Sequence, residues 1–167
     1  MDAYALNLVG GACLLRFCIP ALTGKHSVAP PNQYFGDPAG TTGGSEAGSA
    51  VFFSTVASRM GFPNHSAIAS AKGGVEAFVR TAAAEFAPKL RVNCVAPSLS
   101  DTPLAARMTS NEAIKKALGE AHPIPRLGTA DDSAAAAEFL LDGKWSGWVT
   151  GQVWSVDGGR STLRHKN

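Results

Sequence analysis

Few side chains in this sequence are of a type that does chemistry, and they are thinly spread. Lys72 follows Ile68 by four residues, so on a helix the two share a face, with an ammonium one turn from a bare hydrocarbon. Thr55 and Thr102 offer hydroxyls and Asn7 an amide, although Asn7 and Thr55 serve equally well to satisfy nearby backbone groups. The histidines His26, His65, His122 and His165 are scattered, and their spacing gives no support to metal binding. His65 lies close to Ile68 in sequence and is of a side-chain type that can exchange protons near neutral pH. Cys13, Cys18 and Cys94 are odd in number, match no zinc pattern and sit in apolar segments, as buried reduced thiols of an intracellular protein would. Gly40, Gly43, Gly44 and Gly48 have no strand-forming run ahead of them, so they read as flexibility and not as a phosphate-holding turn.

The elements that must position these residues follow from composition and periodicity. A chain of 167 residues, 45% hydrophobic and 17% charged, suits one domain with a substantial core. Its 15 basic and 13 acidic side chains leave a net charge of +2 with no basic stripe, which argues against a nucleic-acid partner. Residues 4–19 predict a helix that is apolar nearly all round and therefore buried on two sides. Asp2 gives it no basic leader, and Asn7 and Arg16 would be costly in hydrocarbon, so no transmembrane span is expected. Residues 24–50, with six glycines and three prolines, predict a long loop that is either disordered or a contact surface.

A β-favouring run around residues 50–54 predicts a strand. Residues 66–87 predict the clearest helix, with Val75, Phe78, Val79, Ala82, Ala83 and Phe86 on one stripe and Pro88 as its stop. A second strand is expected at 90–95, an irregular loop at 97–109, and a short helix at 111–120 capped by Ser110. A further helix is expected from about 131 to 141, capped by Thr129 or Asp131, and a third strand at 149–156. Trp145, Trp148 and Trp154, near that strand, read as core or interface aromatics. Strands alternating with helices predict parallel pairing in an α/β sheet.

Four ordered motifs carry a resemblance. Arg91-Val92-Asn93 precedes Ala96-Pro97, Pro125-Arg126-Leu127-Gly128 precedes a helix, and Thr150-Gly151-Gln152 leads to Val156-Asp157-Gly158-Gly159. Together, and over nearly the whole chain outside 24–50, they resemble the short-chain dehydrogenase/reductase family. The resemblance implies a partial Rossmann-like doubly wound fold, the last three parallel strands with their flanking helices, as one truncated domain over 1–167. The half of the family fold that carries the dinucleotide-phosphate turn has no counterpart here, and no GxxxGxG occurs.

The family's catalytic set is an Asn, a Ser and a Tyr-x-x-x-Lys pair. By local motif these positions are Asn7, Thr55, Ile68 and Lys72, so a threonine stands for the serine and an isoleucine for the tyrosine. The resemblance gives Lys72 the nicotinamide ribose and places Pro97 and Thr102 at the nicotinamide amide. Ser98, where the family has glycine, crowds the close backbone approach. An isoleucine cannot donate the proton that accompanies hydride transfer, a loss on the order of a hundred- to ten-thousand-fold.

The expectation is a degenerate, non-catalytic pseudoenzyme that serves as a structural or accessory subunit and binds no cofactor tightly. In the family, helices equivalent to 4–19 and 66–87 build a dimer interface, so a homo-oligomer or other protein subunits are the implied partners. Two alternatives stand beside it. One is an NAD(P)-dependent oxidoreductase completed by an N-terminal half from another chain, and the other a small-molecule binding protein that keeps the cleft around Thr55, Lys72 and Thr102.

Overall fold

The computed structural model describes residues 47–164. Their centre is β2 (Leu90–Pro97), buried along nearly its whole length as the middle strand of a parallel sheet in the order β1-β2-β3. β1 (Gly48–Phe53) pairs with it from Gly48 opposite Leu90 to Phe53 opposite Val95, and β3 (Val153–Val156) pairs from Cys94 opposite Val153 to Pro97 opposite Val156.

The two faces of β2 do different work, as the two-residue period of a strand requires. Leu90, Val92 and Cys94 enter an apolar core with Ala50 and with Val75, Val79, Ala82 and Ala83 of helix α1 (Ser66–Phe86). Phe78 and Phe86 of the expected stripe pack against this core while partly exposed, and Phe78 meets Phe52 edge-on at 5.5 Å. Arg91 and Asn93 instead hold polar structure. The Arg91 guanidinium, 5% exposed, donates to the carbonyls of Leu140, Leu141, Ser146 and Val149 and to Ser146 Oγ.

The remaining elements are α2 (Ala106–Thr109), α3 (Glu112–Glu120), α4 (Ala130–Leu141) and α5 (Gly143–Ser146). α3 begins one residue later than expected and is capped by Asn111, not Ser110, because Asn111 Oδ1 accepts from both Ala113 N and Ile114 N. α4 is capped by Thr129 in a reciprocal box, with Asp132 N on Thr129 Oγ1 and Thr129 N on Asp132 Oδ2. Asp132 also takes both Arg126 Nη atoms, at 2.7 and 2.8 Å. That bond first, and those from Thr129, hold its carboxyl well below the usual range.

A depressed carboxyl pKa contributes stability above the unfolded value, about 3.9, that is lost as the pH falls through the folded value. The urea midpoints of wild type and Asp132→Asn are therefore expected to differ most at pH 5 and by less at pH 3, with convergence only at still lower pH. Equal separation at both would refute the assignment.

Four expectations are corrected here. The segment 97–109 is not wholly irregular, since it holds a 3-10 turn at Pro103–Ala105 and then α2. The loop drawn over 24–50 ends earlier, because Gly48 already pairs in β1; the rest of it, and the helix expected at 4–19, lie outside the described residues.

The third strand spans only 153–156. Residues 149–152 are bound to β2 by two backbone bonds, Gly151 N on Val92 O and Cys94 N on Gln152 O, and otherwise through side chains: Val92 N donates to Thr150 Oγ1, Asn93 Nδ2 to Val149 O, and Gln152 N to Asn93 Oδ1, while Gly151 takes φ +69°. That positive φ breaks the extended run. Trp145 and Trp148 are not core, being 68% and fully exposed, whereas Trp154 stacks on Phe139 at 5.3 Å.

Cys94 is buried with its thiol free, and burial above all, with the Glu76 charge behind it, pushes it up to about 12. Alkylation at pH 8 followed by peptide mapping is expected to leave Cys94 unmodified in the native protein and to modify it after denaturation. Among the described residues no helix is long and apolar enough to cross a membrane, and no cluster of three metal-ligating side chains occurs.

Candidate functional site

Thr55, Lys72 and Pro97 lie at the carboxyl ends of β1 and β2, where ligands bind in open α/β sheets. Beyond Phe53 the chain is still held to the sheet by Ser54 N on Val95 O at 2.8 Å, and Thr55 then opens a 3-10 turn over Val56–Ser58. Thr55 Oγ1 accepts a long bond from Ala57 N at 3.3 Å, and its own hydroxyl proton has no acceptor among the described residues.

Lys72 Nζ donates to Phe53 O at 2.8 Å, which anchors the ammonium two residues before Thr55. Partial burial lowers its pKa, with the nearby Cys94 opposing the shift. One helical turn earlier Ile68 is half-buried and offers hydrocarbon alone. Pro97 closes β2 opposite Val156. Thr102 precedes the 3-10 turn at 103–105 in extended conformation, half-buried, with no hydrogen bond from its side chain to that turn. Asn7 lies outside the described residues.

His65 stands at the start of α1 with an exposed ring, its Nδ1 2.7 Å from Pro63 O and its face tilted against Phe62. No bond ties it to Thr55 or Lys72.

The sequence reading passed over Glu76, which holds this corner together. Its carboxylate, on a residue 5% exposed, accepts from Ser54 Oγ at 2.7 Å and Ser58 Oγ at 2.5 Å and pairs with Arg59 Nε at 3.3 Å. Ser58 Oγ also lies 2.6 Å from Thr55 O. One buried carboxylate on α1 thereby fixes both ends of the turn that presents Thr55. The available signal was an acid next to Val75 on the inward stripe of α1, since a buried carboxylate demands donors.

Ser98 and His122 were also passed over as a unit. Ser98 Oγ lies 2.9 Å from His122 Nε2, so the hydroxyl that replaces the family glycine is taken up by a buried imidazole.

These residues fit a nicotinamide group in part. Lys72 keeps two ammonium hydrogens beyond the one on Phe53 O, enough for a ribose diol, and the Thr102 hydroxyl is available for a carboxamide. Ile68 provides no proton donor for the carbonyl such a group would reduce.

Known proteins match most of the chain. The model of the family described as enoyl-(acyl carrier protein) reductase matches residues 39–161. A 3-oxoacyl-(acyl-carrier-protein) reductase of Chlamydia muridarum is 35% identical over 116 residues, 69% of this chain and 46% of that protein. The inactive 2-(S)-hydroxypropyl-CoM dehydrogenase 2 of Xanthobacter autotrophicus is 36% identical over 121 residues, 70% of this chain and 52% of that protein. A short-chain type dehydrogenase/reductase from Mycobacterium ulcerans superposes with a TM-score of 0.77 at 27% identity, covering 98% of this chain and 52% of that one. The chain spans about half the length of the relatives it matches.

Proposed function

The chain belongs to the short-chain dehydrogenase/reductase family, and from that membership we propose that it performs no hydride transfer by itself and serves as a structural or accessory subunit of a larger assembly. The observation that carries this reading is Ile68, in the place where the family holds its proton donor and on the same face of α1 as Lys72. A similar protein named as an inactive dehydrogenase shows that loss of activity has precedent among relatives.

The proposed association surface includes the outer side of α1. Ala77, Arg80, Thr81 and Ala84 are exposed at spacings of three, four and seven residues, so they share one face. Phe78 is unsuited as a probe of this surface because it packs on Phe52. The double substitution Ala77→Asp with Ala84→Asp is expected to lower the native particle mass while leaving the far-UV circular dichroism unchanged. Unchanged mass would remove α1 from the interface.

A second reading, an oxidoreductase completed by an N-terminal half from another chain, is favoured by the Lys72–Phe53 anchor and the uncommitted Thr55 hydroxyl. Lys72→Ala separates the two. On the accessory reading assembly and any host turnover stay intact, whereas a measurable loss of turnover supports the completed enzyme.

A further inference from the structure

Away from Thr55 and Lys72, a cleft of about 320 Å³ opens between the ends of β2 and β3 and the end of α3. Ser98 and His122 both line it. His122 is 3% exposed, and its Nδ1 lies 2.9 Å from Leu118 O and 3.3 Å from Gly119 O. A carbonyl only accepts, so Nδ1 of the neutral ring carries the proton. Nε2 then presents its lone pair to Ser98 Oγ, 2.9 Å away. A hydroxyl on an imidazole lone pair, with that imidazole oriented by a third group, is the arrangement that activates a serine nucleophile.

Two neighbours extend it. The Leu99 amide, on the residue after the serine, has no acceptor among the described residues. In nucleophile-elbow enzymes the amide in that position helps hold the oxyanion. The Asp157 carboxylate is near enough for its charge to interact with His122, and it is fixed by Gly159 N, Ser161 N and Ser161 Oγ. The apolar side chains of Leu99, Ile124 and Val156 line the same cleft, and Ile124 is 58% exposed.

We propose that Ser98 is a nucleophile with His122 as its general base, and that the cleft takes the ester of a small apolar acyl group. Ser98 Oγ bonds to the ester carbonyl carbon as its proton passes to His122 Nε2, and the Leu99 amide faces the developing oxyanion. The carbonyl carbon to alkoxy oxygen bond then breaks, and the alcohol leaves with the proton from His122. Water, deprotonated by His122, attacks the acyl-serine, releases the carboxylic acid and returns the proton to Ser98. The net reaction is ester plus water to acid plus alcohol, with no change of oxidation state. It is separate from the loss of hydride transfer at Ile68.

The test uses the whole chain with a fluorophosphonate probe, the adduct mapped by peptide mass, and p-nitrophenyl butyrate as ester. The expected result is an adduct on Ser98 and ester turnover. Both are lost in Ser98→Gly and slowed by roughly 10²- to 10⁴-fold in His122→Gln. An adduct absent from Ser98, or formed there as fast in folded His122→Gln as in wild type, overturns the proposal. Since His122 is buried, Ser98→Gly is the second arm. It restores the residue the family carries and leaves the base in place, so undiminished ester turnover in it overturns the proposal whether or not the histidine variant folds.

Discussion

Arg91→Ala is expected to cost about 3 kcal/mol, because the substitution removes a nearly buried cation that donates to four carbonyls, and hydrogen bonds to a charged group contribute about 1.5–3 kcal/mol. Ser49, Asn93 and the Val149 amide keep donors on three of these carbonyls, but Arg91 alone joins all four, and they belong to three consecutive pieces of chain: the end of α4, the end of α5 and the turn into β3. The loss is therefore felt where β2 meets α4 and β3 together. A fall in Tm of roughly 10 °C is the corresponding thermal effect for a chain of this size. Arg91→Lys is expected to recover only a minor part, since an ammonium has three donors on a flexible stem and cannot span the same acceptors. Urea unfolding measures it, and a loss below about 1 kcal/mol would mean that the remaining donors and water satisfy these carbonyls without the guanidinium.

The second large effect is expected at Glu76→Ala, at about 2–3 kcal/mol, the range for losing hydrogen bonds to a buried charge. The variant strips the acceptor from Ser54 and Ser58 and the partner from Arg59, and it leaves a small void beside Val75 and Val79. Its effect is also local, because the turn presenting Thr55 is held by that carboxylate. Amide hydrogen exchange over residues 54–60 is expected to accelerate more than exchange in β2. Uniform acceleration across the sheet would show that Glu76 supports the fold generally and not this corner.

The elements that were legible in the sequence are those whose side chains repeat. α1 shows its inward stripe and its stop at Pro88, and β2 shows one apolar face in the alternation of Leu90, Val92 and Cys94 with Arg91 and Asn93. The end of the sheet was not legible, for a definite reason. Val149 and Thr150 are β-favouring types, yet Gly151 takes a positive φ, and Thr150 Oγ1 and both ends of the Asn93 amide replace part of the ladder, so the strand starts at Val153. The cap of α3 turned on which of two adjacent polar residues reaches the first amides, and Asn111 does so twice.

At the candidate site, Lys72 and Ile68 were legible as a pair because a helix fixes their spacing. Ser98 and His122 were not. They are 24 residues apart and meet only because the excursion after β2 returns, with Asp101 N on Gly128 O and Gly128 N on Leu99 O closing its base. No local periodicity reports a contact of that kind.

The accessory-subunit account rests most directly on the company this chain keeps. The decisive measurement is the mass of the native particle by size exclusion with light scattering, with every polypeptide in it identified. The account predicts a particle several times the mass of one chain, holding other proteins or further copies of this one. A particle of single-chain mass would contradict it.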